Sequence, residues 1–580
     1  MWKTLKRVMS YAKPYKHYFI FTVIFALTGV SLSLAVPIFI GKAVDYAKGK
    51  GTVEFDGLIK TALFLGIIVL ASTIFQWFMS LCTNKLAYLT IRDIRCDIFA
   101  KLERVPVKYI DSKTKGELTS RVINDIEIIS DGLLQGFAQL FSGVVTIIGT
   151  IIFMMIINIK ISLFVIILTP LSFLVASKIT KLTHDTFVKQ SKLRGEMVSL
   201  TEEMAGSQKI VKAFVYEKRA EERFDKINRE FGKVGAKATF YSSLTNPTTR
   251  FVNGLIYTTV GVTGALSALG AVGFIGVISV GELTSFLAYA NQYTKPFNEI
   301  SGVVAELQNA VSSAERVFAV LDEEEVPDDS QKETLIECDG NLKFENVKFS
   351  YVPEVPLIDN FSLDVKSGQK IAIAGPTGCG KTTVINLLLR FYDIQSGKIS
   401  ISGKNVNDIT RNSLRRTFGM VLQETWIFTG TVRENIAYGK PDASLDEIIK
   451  ASKAVYAHGF IKRLPEGYDT VISDNSGLSQ GQKQLICIAR IMLMNPPLLI
   501  LDEATSSIDL RTEQQIQKAF EKLMKGKTSF IIAHRLSTIR NADVILVMKS
   551  GHILEQGNHE QLIKNGGFYA ELYNSQFIEV

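Results

Sequence analysis

Apolar positions along this chain follow two regimes that meet near residue 320. Before it, uncharged runs of spanning or near-spanning length occupy residues 19–40, 61–81, 136–158, 161–177 and 251–280. About 20 apolar residues of helix cross the hydrocarbon core of a bilayer, so each run predicts a membrane helix. A sixth run, 283–307, carries Lys295 and Glu299. A charge at mid-bilayer costs on the order of 3 kcal/mol, which weakens this span on hydropathy alone. Residues 84–105, 123–134, 178–203 and 218–239 lack Gly/Pro breaks through most of their length and predict helical extensions beyond the bilayer. Short interruptions near 111–116 and 206–217 predict turns that meet the following domain. Residues 322–332 are polar and acidic, as an exposed linker is. Beyond 340 the apolar runs shorten. Residues 342–351 and 361–365 alternate as strands do, and 369–374, 418–422, 498–503 and 528–533 read as further strands. The expected organisation is an all-α membrane domain over 1–320, a linker over 321–340 and an α/β domain over 341–580.

The segment Gly375, Pro376, Thr377, Gly378, Cys379, Gly380, Lys381, Thr382 fits the phosphate-loop pattern G-x-x-x-x-G-K-[ST] at every fixed position. Strand 369–374 precedes it and an apolar helix from Thr383 follows. Glycines there let backbone N–H groups turn inward and, with the helix N-terminus, cradle phosphate. Lys381 is placed for the β/γ-phosphates and the Thr382 hydroxyl for Mg²⁺. ATP and Mg²⁺ are therefore the expected ligands.

An ATP site after the last span must be cytoplasmic, and the basic residues Lys3, Lys6, Arg7, Lys13 and Lys16 put the N-terminus on the same side. Both ends on one side require an even number of spans, hence six. Loops 83–133 and 178–250 then face the cytoplasm and carry about two dozen Lys/Arg, against a handful opposite. That asymmetry accounts for much of the net charge of +8, so nucleic acid is not an expected partner. Residues 1–18, basic and aromatic, read as an amphipathic elbow on the inner surface and not as a cleavable signal. The five cysteines are scattered, without metal spacing. Lys295 and Glu299, one turn apart, read either as an internal ion pair or as part of a polar substrate path.

Four further elements follow the phosphate loop. Strand 498–503 ends in Asp502 and Glu503, suited to Mg²⁺ and to the attacking water. Leu478, Ser479, Gln480, Gly481 and Gln482 precede a helix. Gln423 follows strand 418–422, and His534 follows strand 528–533. With these in this order, the chain resembles the ATP-binding cassette exporters over its whole length. The resemblance makes Gly375–Thr382 the Walker A loop, with Thr383 beside it, and 498–503 the Walker B strand with its catalytic glutamate. Leu478–Gln482 becomes the signature, Gln423 the Q-loop, Asp509 the end of the D-loop and His534 the switch histidine. Tyr351 takes the place of the aromatic that stacks on adenine, and 119–125 resembles a segment near the first coupling helix. It implies a type I exporter fold in a multi-pass membrane protein of the bacterial cell membrane. Two such half-transporters would pair head to tail, with each ATP between one Walker A and the opposing signature. Glu503 would polarise water, His534 orient the γ-phosphate, and Gln423 sense Mg²⁺ with Thr382 and Asp502. The implied activity is ATP-driven export of amphipathic compounds by alternating access, with a lipid or peptide exporter as the alternative.

One position departs from the family. Gln480 stands where the signature usually has glycine, and 473–477 lack the usual glutamate. The favoured reading is a heterodimer in which this signature faces a degenerate site; a tolerated variant in a homodimer remains open. A membrane-anchored channel or regulator is a third reading, against which intact Glu503 and His534 argue.

Overall fold

A computed structural model describes residues 2–47, 53–269, 277–422, 425–474, 476–503, 508–533 and 539–575. Gln423 and His534 fall outside these, as do the side chains of Glu299 and Glu503. The chain forms two compact units. Residues 1–103 and 114–323 make one, and residues 104–113 and 324–580 the other.

The first unit is helical. It contains α1 (Trp2–Ala12), α2 (Lys16–Tyr46) and α3 (Phe55–Leu102). After α4 (Val107–Asp111), which clusters with the second unit, come α5 (Lys115–Ser120), α6 (Ile126–Ile157), α7 (Ile159–Gly206), α8 (Gln208–Ala213), α9 (Glu217–Ala268) and α10 (Val280–Leu321). Among the described residues, the six predicted runs fall on α2, α3, α6, α7, α9 and α10. Among the described residues, α2, α3, α6 and the 250–268 part of α9 are long and apolar enough by composition to cross a membrane. Between Glu282 in its first turn and Lys295, helix α10 carries no charge, and the extensions of α3, α7 and α9 run into polar sequence as expected.

Apolar side chains cover both sides of these helices, as a lipid solvent requires. Leu63, Leu70, Ile148 and Ile156 are exposed, while Phe286, Tyr289, Met154 and Leu34 form the packed interior. Tyr289 is buried without penalty because its hydroxyl donates to the Leu34 carbonyl. Local side chains cap the starts of α7 and α10. The Asn158 side chain accepts from the N–H groups of Lys160 and Ile161, which closes the tight α6–α7 turn. Ser279 and Glu282 form a capping box at the start of α10.

Helix α1 and the turn after it, Lys13–Tyr15, are tied to the bundle by more than an apolar face. The Tyr11 hydroxyl donates to Asp97 (2.8 Å), the Tyr15 hydroxyl to Asp93 (2.6 Å), and Arg7 bonds Asp322 (2.6 Å). Burial, then the Asp97 bond, pushes the Tyr11 phenol up to about 12. The segment 119–125 holds a π-turn at Arg121–Asp125. It delivers Asp125, buried at the start of α6, to Arg316 near the end of α10 (Nε–Oδ2, 2.9 Å).

The second unit is α/β. A four-stranded antiparallel sheet runs β2 (Ile358–Val365), β1 (Leu342–Phe349), β4 (Ser396–Ile401), β5 (Lys404–Asn405). A six-stranded sheet runs in the order β12 (His552–Gly557), β11 (Val544–Lys549), β3 (Lys370–Ala374), β10 (Thr528–Ala533), β9 (Leu498–Glu503), β6 (Phe418–Val421). It is parallel except at the β12 edge. A short pair, β7 (Gly430–Thr431) and β8 (Val471–Ile472), lies apart. The helices are α11 (Lys381–Leu388), α12 (Arg411–Arg416), α13 (Val432–Ala437), α14 (Leu445–Ala454), α15 (His458–Ile461), α16 (Gln480–Met494) and α17 (Leu510–Met524), with two more short helices after residue 558. Strands β3, β9 and β10 are near-continuous apolar runs because helices or the second sheet cover both their faces.

Candidate nucleotide site

The phosphate loop leaves β3 and enters α11. Gly375 has φ +151°, and a Cβ there would lie 2.2 Å from the Met548 carbonyl oxygen. Only glycine fits this position. Cys379 is buried and its carbonyl accepts from Gly551 N–H (3.1 Å), so the turn between β11 and β12 braces the loop from behind. The Lys381 ammonium folds across the loop and donates to the carbonyls of Gly375 (2.7 Å) and Pro376 (3.0 Å). Thr382 is exposed on the open side, while Thr383 is buried toward the core.

Strand register brings the other elements to the same edge. Ile373 of β3 pairs with Ile532 of β10, Ile532 with Asp502 of β9, and Ala533 with Glu503; Val421 of β6 pairs with Leu501. Adjacent strands lie about 4.8 Å apart. The carboxyl ends of four neighbouring parallel strands therefore carry the phosphate loop, the position before His534, the pair Asp502–Glu503, and the position two before Gln423. Ligands of open α/β sheets bind at this edge. The exposed Thr382 hydroxyl and the Asp502 carboxylate are the hard oxygen donors that Mg²⁺ prefers, so the donor set fits that ion.

The 478–482 stretch opens α16. Ser479 caps it reciprocally with Gln482. The Ser479 hydroxyl accepts from Gln482 N–H (3.3 Å), and the Gln482 side chain accepts from Ser479 N–H (3.0 Å). A Cβ on Gly481 would lie 2.4 Å from Thr512 Cγ2, so this glycine permits the close approach of α16 to α17. Asp509 caps α17 through Thr512 N–H (2.9 Å), and that bond holds its carboxyl below the usual range. Gln480 turns back on its own chain, where its Nε2 donates to Thr425 Oγ1 (3.0 Å). The signature helix is thereby tied to the segment immediately after Gln423.

Tyr351 is partly exposed and set edge-on against Phe349 and Tyr392, each with its centroid 4.9 Å away. Asn386 of α11 donates to its hydroxyl (3.1 Å). Sequence reasoning missed Tyr392. Its hydroxyl donates to Asp111 of α4 (2.6 Å); burial and that bond raise its phenol far above the ordinary value. The short helix at the first interruption thus joins the aromatic group of the site, and the backbone of Arg104 adds a bond from Val326 N–H (2.9 Å). Nothing in the local pattern marks Tyr392, since its partner lies 281 residues away. Arg490 of α16 carries no motif signal either. It sits with its guanidinium 5.7 Å from the Trp426 ring and 5.3 Å from Tyr438, and donates to the Asn435 carbonyl (2.7 Å). Ile210, Phe214 and Val215, at the second interruption, are exposed.

Comparison with known proteins covers both units. The family described as "ABC transporter transmembrane region" matches residues 19–297, and "ABC transporter" matches 358–506. A protein of Mycobacterium tuberculosis named as a fatty acid ABC transporter ATP-binding/permease protein is 40% identical over 530 residues, 91% of this chain and 83% of that one. An ATP-dependent lipid A-core flippase of Syntrophus aciditrophicus is 32% identical, covering 99% of this chain and 94% of its own. The structure of a bacterial Atm1-family ABC exporter with ATP bound superimposes with TM-score 0.77 at 27% identity, covering 97% of this chain and 98% of that one.

Proposed function

Because this chain belongs to the ATP-binding cassette transporter family, as an exporter half-transporter of type I fold, we propose that it drives amphipathic and hydrophobic compounds outward across the cell membrane at the expense of ATP. The observation that carries the reading is the convergence of the phosphate loop and the ends of β6, β9 and β10 at one sheet edge. The fatty acid and lipid A relatives favour lipid-like cargo over peptide.

In this reading Tyr351 stacks on adenine, and the N–H groups of 375–382 hold the phosphates. Lys381 exchanges its loop carbonyls for β/γ-phosphate oxygens. Thr382, Asp502 and Gln423 would hold Mg²⁺, whose charge offsets that on the phosphates. Glu503 polarises the attacking water and His534 orients the γ-phosphate. Catalysis is then mostly positioning and charge stabilisation. Exporters of this family work as dimers of half-transporters. ATP between two cassettes favours the closed dimer, and loss of the γ-phosphate contacts reopens it. Residues 104–113 receive that movement through Tyr392 and Asp111.

The partner is a different chain. Gln480 places a bulky amide, tied to Thr425, where the family has glycine, which suits a signature facing a weak site. Glu503 then serves the hydrolysing site together with the partner's signature. The test is the ATPase rate of this chain purified alone in lipid, with and without Glu503→Gln. Negligible turnover alone, restored by a second chain and abolished by Glu503→Gln, is the expected result. Robust Glu503-dependent turnover alone would mean a homodimer, and normal turnover of Glu503→Gln would remove its assigned role.

A further inference from the structure

The helical unit holds a polar cavity at membrane depth. It measures about 310 Å³ and lies among α2, α3, α6 and α10, lined by Ser33, Gln76, Ser142, Thr146, Gln292 and Lys295, with Leu34 and Met79 among its apolar walls. We propose that this cavity binds the anionic head group of an acyl amphiphile, with Lys295 as its counter-charge. The inference rests on the export reading and names the chemical class of cargo.

Depth is the first argument. Lys295 lies fifteen residues into α10, which begins at Val280. At 1.5 Å per residue that is about 22 Å from the outer end. In a hydrocarbon core of about 30 Å the ammonium therefore sits in the inner half. A lysine there is costly and is kept where it faces a cavity or a partner. Among the described residues lining the cavity it is the sole charged group. Glu299, one turn further on, has its side chain outside the described residues.

Spare hydrogen-bonding capacity is the second argument. Among the described residues the Gln292 side-chain oxygen is buried without a hydrogen-bond partner. Rotating that amide presents its NH₂ group to an acceptor beside Lys295. Gln76 is fixed by donating to Ser72 (3.2 Å), which in turn donates to the Gly29 carbonyl (3.0 Å). A cation beside an amide that can turn its NH₂ group inward, at the edge of an anchored polar wall, is a donor set for a carboxylate or a phosphate.

Size is the third. Water occupies about 30 Å³ per molecule in the liquid, so the cavity takes a head group and not a whole lipid. The acyl tail is left to the apolar faces outside, where Leu27, Ile24 and Ile148 are exposed. A cationic amphiphile is repelled by Lys295, and a neutral one forgoes the charge-assisted bond.

The experiment uses the assembled transporter in nanodiscs of neutral lipid. It titrates ATPase stimulation and the shift in melting temperature with oleate, oleyl phosphate, oleyl alcohol and oleylamine. Half-stimulation is expected at the lowest concentration for one or both anions, and the ranking of the two identifies carboxylate or phosphate as the preferred head group. Lys295→Gln should raise that concentration about tenfold or more and abolish the melting shift by anions, while leaving the response to oleyl alcohol intact. Lys295→Arg should keep most of the anion response. Should Lys295→Gln fold poorly, Gln292→Leu is expected to weaken the same anions by a smaller factor. Equal responses to oleylamine and oleate, or an unchanged oleate response in Lys295→Gln, would overturn the head-group site and leave export standing. Glu503-dependent turnover indifferent to every amphiphile would overturn both.

Discussion

Lys381→Met isolates the ammonium of the phosphate loop. Methionine keeps an unbranched apolar stem, so the packing of the buried side chain, 8% exposed in the wild type, is largely retained. What is lost is the charge and its bonds to the Gly375 and Pro376 carbonyls, 2.7 and 3.0 Å long. ATP must draw the ammonium away from those carbonyls to its own oxygens. The affinity that Lys381 contributes is therefore a difference, smaller than the full strength of a phosphate contact. Taking that difference as one hydrogen bond to a charged group, about 1.5–3 kcal/mol, Kd for ATP should rise roughly 10- to 150-fold. Isothermal titration of the purified transporter with ATP measures this, and the nucleotide-free melting temperature checks that the fold survives. Lys381→Arg is the discriminating control. It restores charge but must fit a planar fork into a loop lined by buried Cys379, so it should recover little affinity. An unchanged Kd in Lys381→Met, with an unchanged melting temperature, would refute the assignment of this loop. Full recovery in Lys381→Arg would show that charge alone matters and that the loop geometry does not.

Arg316→Ala should destabilise the helical unit by about 2 kcal/mol. Breaking a fully buried pair costs about 3–5 kcal/mol, and the half-exposed guanidinium calls for a discount. Combined with Asp125→Asn, the loss should be clearly less than the sum of the single losses in a double-mutant cycle of melting temperatures; strict additivity would mean the pair is not coupled. In the second unit, His458 shares a hydrogen bond with the Tyr468 hydroxyl (2.8 Å), and burial, then Lys453 and Lys462, pulls its pKa below the ordinary imidazole value. The unfolded chain then takes up the proton first, so stability is complete above about pH 6.5 and is lost as pH falls through the lower folded value. His458→Gln should flatten the acid limb of melting temperature against pH; an unaltered limb would place that titration elsewhere.

The two halves of the molecule were unequally legible in the chain, for a physical reason. A phosphate cradle is made of backbone, so its demands fall on consecutive residues. Gly375 must carry an unusual φ beside Met548, and Lys381 must start the following helix. Likewise Asp502 and Glu503 must end a buried strand to reach the same edge. Such demands print themselves as short motifs. The spans were legible because lipid imposes a length and a polarity on every residue of a helix. Contacts between segments distant in the chain left no such print. Tyr392 meets Asp111 across 281 positions, and Tyr15 and Tyr11 of the N-terminal elbow donate to Asp93 and Asp97 of α3. Gln480 announced itself as an oddity in the sequence, but its bond to Thr425 appears only when the loop after β6 is folded against α16.

The same reasoning explains why cargo chemistry is the hardest property to read from such a chain. The cavity around Lys295 draws two or three residues from each of four helices, spread along the chain from Val30 to Pro296 and separated by lipid-facing residues under no comparable demand. No local pattern can mark a site assembled this way, and its polar members taken singly are ordinary span residues. What the sequence does expose is the cost: a cation written into an otherwise apolar run. A full charge at that depth is not kept by a chain that could replace it with leucine at a gain of several kcal/mol, unless something pairs with it. The partner is either fixed, as an internal carboxylate would be, or transient, as an anionic cargo would be. These differ in one respect that can be measured. A fixed partner makes Lys295→Gln destabilising in the absence of any amphiphile, because it strands a buried carboxylate. A transient one leaves the empty transporter as stable as before, or more stable, and removes only the response to anions.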